Sequence, residues 1–185
     1  LTATYTHTLF KNISLSLGFV GDLRNSQTNQ AFLTLVFAPD VNHYINNSTT
    51  WQNHQVQDLL QFAKPTPLGK GYGYNILASN NGNRYAGADV TVQTEKGAYT
   101  ARLGQGSGQA NYELDASGSA IYFAGDGFLA RKLTQSFALV KVPNFPGVDV
   151  FYENQLMGKT DRNGNLLIPE LLAYQENSVE IEPTT

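Results

Sequence analysis

The chain has 185 residues, a formal net charge of −3 and 12 Lys+Arg spread thinly, so no basic stripe points to nucleic acid. Cysteine is absent, which removes disulfides, zinc–thiolate and iron–sulfur sites, and cysteine nucleophiles. Charged residues make up 15%, against about a quarter in an ordinary soluble domain, a hint that part of the surface faces something other than water.

No run of about 18 apolar residues offers a transmembrane helix, while transmembrane strands, whose signal is weaker, stay open. No charged-then-apolar leader precedes Leu1, so the start reads as a cut end. The length fits one all-β domain or one and a half smaller ones.

The first third alternates. Thr2, Thr4, Thr6 and Thr8 fall on one face of a strand and Leu1, Ala3, Tyr5, His7 and Leu9 on the other. Leu15, Leu17 and Phe19 oppose Ser14, Ser16 and Gly18, with Lys11-Asn12 as a tight turn between the two segments. A third strand, Ala31 to Ala38, puts Leu33, Leu35 and Phe37 on one face, after a polar connection from Asp22 to Asn29. Segments of this kind suit a transmembrane barrel wall and equally a water-soluble sandwich with one buried face.

Residues 40–53 are polar and read as a loop. Val56 to Ala63 is the one candidate helix, with Val56, Leu59, Leu60 and Ala63 at helical spacing, and a distorted strand is its competitor. Gly69 to Ala78 resumes the strand pattern with Tyr72, Tyr74, Ile76 and Ala78 on one face; Gly71 and Gly73 let a neighbouring backbone approach. Short strands over 85–94, 98–103, 109–114, 119–124 and 128–133, punctuated by glycine turns, give the rhythm of an antiparallel meander.

From Leu133 the character changes to compact apolar runs at 136–143, 148–152 and 165–168, with turns at 144–147 and 161–164. This describes a small sandwich, with a domain boundary near Leu133 to Ser136. The fold class is therefore all-β: residues 1–132 an antiparallel sheet, residues 133–185 a small β-sandwich.

Catalytic chemistry finds no foothold. His7, His43 and His54 lack metal-ligand spacing and partners. Asp161-x-Asn163-Gly164 has its glycine at the wrong place for a calcium loop and no glutamate at the twelfth position, which is Leu172. The plain reading is a turn in which Asp161 caps backbone N–H groups and Gly164 takes positive φ. Gly69 to Gly73 lacks phosphate-loop spacing and no helix follows. There is no G-x-S-x-G elbow and no paired-carboxylate pattern. The chain is expected to be no enzyme and to use no cofactor or metal.

The stretch GKTDRNGNLLIPELLAYQEN (Gly158 to Asn177) carries more information than any other. It resembles the segment closing the first C-terminal periplasmic domain of outer-membrane fimbrial ushers, and Ser136 to Gly158 continues the resemblance. PLGKGYGY (Pro67 to Tyr74) and LDASGSAIYFAGDGFLARKL (Leu114 to Leu133) resemble the late strands and the last hairpin of the usher barrel. The Phe-Tyr-Glu-Asn form and the Tyr-x-x-Asn-x-Val-x-Ile tail resemble the archaic branch.

The resemblance implies pilus biogenesis. Residues 1–132 would be the last barrel strands, in outer-membrane lipid and completed by the remainder of the barrel. Residues 133–185 would be the periplasmic domain that receives chaperone–pilus subunit complexes, whose fibre then grows by donor-strand exchange. It implies apolar contact residues at Phe145, Phe151, Tyr152, Leu156 and Tyr174, with Asp161, Gly164, Pro169 and Asn177 as shaping residues. A soluble extracellular β-sandwich acting as an adhesin or carbohydrate-binding module, with Trp51 and exposed tyrosines as its platform, is the competing reading.

Overall fold

A computed structural model describes residues 1–22, 29–123, 125–133 and 136–182. Nine strands follow one another along the chain: β1 (Thr2–Phe10), β2 (Ile13–Val20), β3 (Gln30–Phe37), β4 (Tyr44–Gln52), β5 (Gln55–Lys64), β6 (Gly71–Asn80), β7 (Arg84–Gln93), β8 (Ala98–Gly106) and β9 (Gln109–Ser117). They form a single sheet in sequential order, an antiparallel meander.

The registers sort the side chains by chemistry. Tyr5 pairs with Leu17, Leu17 with Leu33, Leu15 with Leu35, and Phe62 with Ile76, all on one face. The opposite face pairs Thr6 with Ser16, Ser16 with Thr34, Thr34 with Ser48, and Gln61 with Leu77. The polar face bonds to itself: Thr6 Oγ1 to Ser16 Oγ at 3.0 Å, Thr34 Oγ1 to Ser48 Oγ at 3.2 Å, Gln61 Nε2 to Asn75 Oδ1 at 2.7 Å and Thr91 Oγ1 to Thr100 Oγ1 at 2.9 Å. Arg102 and Glu113 form an ion pair on it. The apolar face leaves Leu17, Phe19, Leu35, Leu60, Phe62, Ile76 and Leu103 exposed. Each such side chain is worth about 1.5–3 kcal/mol when removed from water, so a face built this way suits lipid and the hydrogen-bonded face suits a polar lumen.

Two expectations are corrected here. Residues 44–52 are strand β4, not loop, because Asn46, Ser48, Thr50 and Gln52 line the polar face while Ile45 and Trp51 sit on the other. Residues 56–63 belong to strand β5, not a helix: Val56, Leu60 and Phe62 share the apolar face and the whole segment pairs with β4. Of the polar connection expected from Asp22 to Asn29, residues 23–28 lie outside the described residues.

The chain forms two compact units, one of Leu1–Pro65, Gly73–Val90 and Ala101–Glu113, the other of Thr66–Tyr72, Thr91–Thr100 and Leu114–Thr185. The second unit thus takes in the start of β6, the end of β7, the start of β8, the end of β9 and the segment joining β7 to β8. It also holds a two-stranded pair, β10 (Ser119–Phe123) with β11 (Asp126–Ala130). Five short strands follow. β12 (Ala138–Lys141) pairs with β15 (Asn165–Ile168), and β13 (Asp149–Tyr152) lies between β14 (Gln155–Lys159) and β16 (Val179–Ile181). Val150, Tyr152, Met157, Leu166 and Ile168 form the core of this small sandwich, with Val140 and Leu171 packed against it. Of the boundary expected between Leu133 and Ser136, residues 134 and 135 lie outside the described residues.

Candidate functional site

The small sandwich is organised by two polar nodes. At the first, Asp161 Oδ1 accepts the N–H groups of Asn163 and Asn165, both at 2.8 Å. Gly164 completes the turn at φ 76°, a region costly for any side chain, and a Cβ there would come within 2.1 Å of the Val142 carbonyl oxygen. Thr160 lies beside this turn, accepting the Val148 N–H at 2.9 Å and donating to the Phe145 carbonyl at 2.8 Å. Buried Pro169 follows β15 directly and ends the ladder.

The second node is Asn177. Its Oδ1 accepts the Tyr152 hydroxyl at 2.9 Å and the Leu172 N–H at 2.8 Å; its Nδ2 donates to the carbonyls of Leu172 at 3.0 Å and Gln175 at 2.8 Å. One side chain therefore ties the core phenol to both sides of the 172–175 loop. Glu153 adds a fifth tie, its Oε1 accepting the Ser178 N–H at 2.9 Å. At the crest of the loop Tyr174 has φ 60° and is fully solvent-exposed. A non-glycine residue in that region costs about 1–3 kcal/mol unless its surroundings fix it, and the Asn177 bonds supply the fixing.

Of the apolar contact residues expected from the sequence, Tyr174, Phe145 and Leu156 are exposed. Phe151 is half-buried. Tyr152, expected at the surface, is 4% exposed: it belongs to the core, with its hydroxyl committed to Asn177. Gly71 and Gly73 stand at the start of β6, where a Cβ on Gly71 would meet Pro67 Cγ at 2.6 Å and Gly73 is buried.

Sequence reasoning passed over Arg131, the charged residue buried most deeply among the described residues. Its surroundings, together with Gln93 and Gly69, come from segments far apart in the chain, so only the Ala-Arg-Lys run after an apolar strand could have marked it. Among the histidines, His43 Nδ1 contacts Asp40 Oδ2 at 2.7 Å in an exposed segment. Among the described residues no group of His, Asp and Glu is placed to hold a metal ion.

A nine-stranded sheet with one apolar face and one hydrogen-bonded polar face precedes a small sandwich in the sequence. The family model described as "Outer membrane usher protein" matches residues 1–185. The chain belongs to the outer membrane usher family. Ushers are assembly and transport platforms rather than enzymes. Among curated usher proteins, YehB of Escherichia coli (strain K12) is 28% identical over 148 residues, covering 75% of this chain and 17% of that protein. The chain thus spans about a sixth of the length of the usher it matches. Membership in this family favours the usher reading over the soluble adhesin, which rested on Trp51 and exposed tyrosines as a binding platform.

Proposed function

We propose that this chain is the C-terminal part of an usher of pilus biogenesis in the chaperone–usher pathway. Residues 1–132 supply the last barrel strands in outer-membrane lipid. Residues 133–185 form a periplasmic domain that receives chaperone–subunit complexes. The sheet supports this reading by what it lacks: β1 and β9 are its outer strands among the described residues, and an open edge in lipid leaves backbone N–H and C=O groups unpaired. The remainder of a barrel would pair them.

The observation that carries the receiving role is Tyr174. A large aromatic held at positive φ, with its ring wholly in solvent, is preorganised for contact and does nothing for its own domain's core. Phe145 and Leu156 add exposed apolar area on the same small sandwich. Nothing in this handover needs a nucleotide or a metal, since subunit folding against an incoming strand supplies the free energy.

The test is capture of a matched periplasmic chaperone–subunit complex by the usher, with chaperone alone as control. Selective capture that falls about tenfold on Tyr174→Ala supports the reading. A folded usher that binds equally well with alanine at Phe145, Leu156 and Tyr174 together would overturn it.

A further inference from the structure

Arg131 joins three segments of the chain that the receiving role leaves unexplained. It is 6% exposed, and its Nη1 donates to the carbonyl oxygens of Leu68 and Gly69, the latter at 3.2 Å, and to Gln93 Oε1. Gln93 closes the circuit by donating from Nε2 to the Pro67 carbonyl at 2.9 Å. The segment between β5 and β6 is thereby shaped by a guanidinium that comes from the far side of β11.

That shaped segment lies against the small sandwich. The Leu68 N–H donates to Gln155 Oε1 at 3.2 Å. Gly69 is so close to β14 that a Cβ would sit 1.8 Å from the Leu156 carbonyl oxygen. Next along the same strand, Gly158 leaves room for Glu95, whose Cγ would be 3.0 Å from a Cβ there. Glu95 belongs to the turn that joins β7 and β8. The β14 edge is thus seated on the segments joining β5 to β6 and β7 to β8.

We propose that Arg131, Gln93 and Gly69 form a latch, within the second compact unit, that seats the small sandwich by its β14 edge on residues 66–70 and 94–97. Arg131 is a positioning residue. Burying a charge is costly unless it is bonded, and this one is spent on two loop carbonyls and an amide instead of a carboxylate. Arg131 therefore fixes the conformation of the loop that β14 rests on. With β14 occupied, the opposite edge strand of the three-stranded sheet, β16, remains the exposed one, its three residues all open to solvent. This rests on the receiving role proposed above: Tyr174 stays exposed whether or not β14 is seated, so seating governs delivery of a bound complex and not its capture.

The test uses the whole usher carrying Arg131→Ala or, independently, Gly69→Ala. Cysteines at positions 68 and 155, joined by a short bismaleimide, report the latch whatever the usher carries. The expected result is efficient cross-linking with Arg131 and Gly69 intact and at least a fivefold fall in either variant. Both variants should keep heat-modifiable barrel mobility and capture chaperone–subunit complexes normally, yet assemble roughly tenfold fewer fibres, and the completed cross-link should restore assembly. Unchanged cross-linking in both variants would overturn the latch itself. Weaker cross-linking with full fibre assembly would overturn its role in delivery. Failure of the unaltered usher to capture any complex would instead count against the receiving role, leaving the cross-linking result to decide the latch.

Discussion

The ring of Phe32 lies over Gly18, its directly paired neighbour across β2 and β3; a Cβ on Gly18 would come within 2.0 Å of Phe32 Cζ. Tyr85 does the same farther along the sheet, its hydroxyl 2.7 Å from where a Cβ on Gly87 would sit and 2.6 Å from one on Gly104. Both aromatics lie on the polar face. A missing side chain on one strand receives the ring of another, so glycines let the sheet curl while the ring covers the exposed backbone.

Gly18→Leu is therefore expected to disrupt the β2–β3 pairing, whereas Phe32→Leu leaves the glycine bare and is milder. Overpacking of this type costs about 1–3 kcal/mol even where neighbours can adjust. Comparing heated and unheated gel mobility of the whole usher separates the two. Equal folding of Gly18→Leu and the unaltered protein would refute the pairing.

Asn177→Ala should loosen the small sandwich at its 172–175 loop. It removes four hydrogen bonds, one from the half-buried Tyr152 hydroxyl. A loss of about 2–3 kcal/mol is expected, mostly from groups left unpaired. Hydrogen exchange at residues 171–178 would rise sharply, while that of β1 to β4 would not change.

Gly164→Ala combines two penalties, positive φ and the approach to the Val142 carbonyl. It should cost more than about 2 kcal/mol. Asp161→Asn keeps an acceptor oxygen for the same two N–H groups and should cost less than half as much. Protease cleavage between β12 and β15 reads the difference.

Tyr174→Ala should behave in the opposite way. A fully exposed side chain leaves stability within about 0.5 kcal/mol, so any loss of complex capture reports contact, not folding. Tyr174→Gly would even relieve the positive φ, and a more stable protein with weaker capture is the expected pair of outcomes.

Asp40 gives a prediction in pH. The Asn42 N–H, and then the His43 ring, hold its carboxyl below the ordinary 3.8. A carboxyl lowered on folding stabilises the loop above its unfolded pKa, and that support is lost as pH falls through the lower folded value. Carboxyl titration by NMR should place Asp40 below 3.8, and His43→Ala should raise it only in part, because the Asn42 bond remains. A return to the full ordinary value would make the ring the dominant cause.

Strand alternation at β1, β2 and β3 was legible because threonine and serine mark one face as clearly as leucine and phenylalanine mark the other. β4 was not: Asn46, Asn47, Ser48, Thr49 and Thr50 read as a loop when polarity is taken to mean exposure to bulk water. On the apolar face β4 carries only Ile45 and Trp51 as large apolar residues, with Asn47 and Thr49 between them. β5 misled by the pair Leu59-Leu60, which fits a helical stripe as readily as a strand with residues on both faces. In the small sandwich, the turn chemistry of Asp161 could be read locally, since its side-chain partners Asn163 and Asn165 lie within four residues, whereas the Val142 carbonyl beside Gly164 is far away in sequence. The Arg131 circuit could not, because its acceptors lie 38 to 63 residues away.

The ladder of hydroxyl and amide pairs along the polar face has a consequence for traffic. Thr6 with Ser16, Thr34 with Ser48 and Gln61 with Asn75 satisfy one another along the wall. Under the role proposed above, a folded subunit sliding past such a wall would meet side chains whose donors and acceptors are largely spent on one another, with Arg102 and Glu113 paired. It would find little to grip and little to lose at each step. A lining of that chemistry would make such passage nearly level in energy.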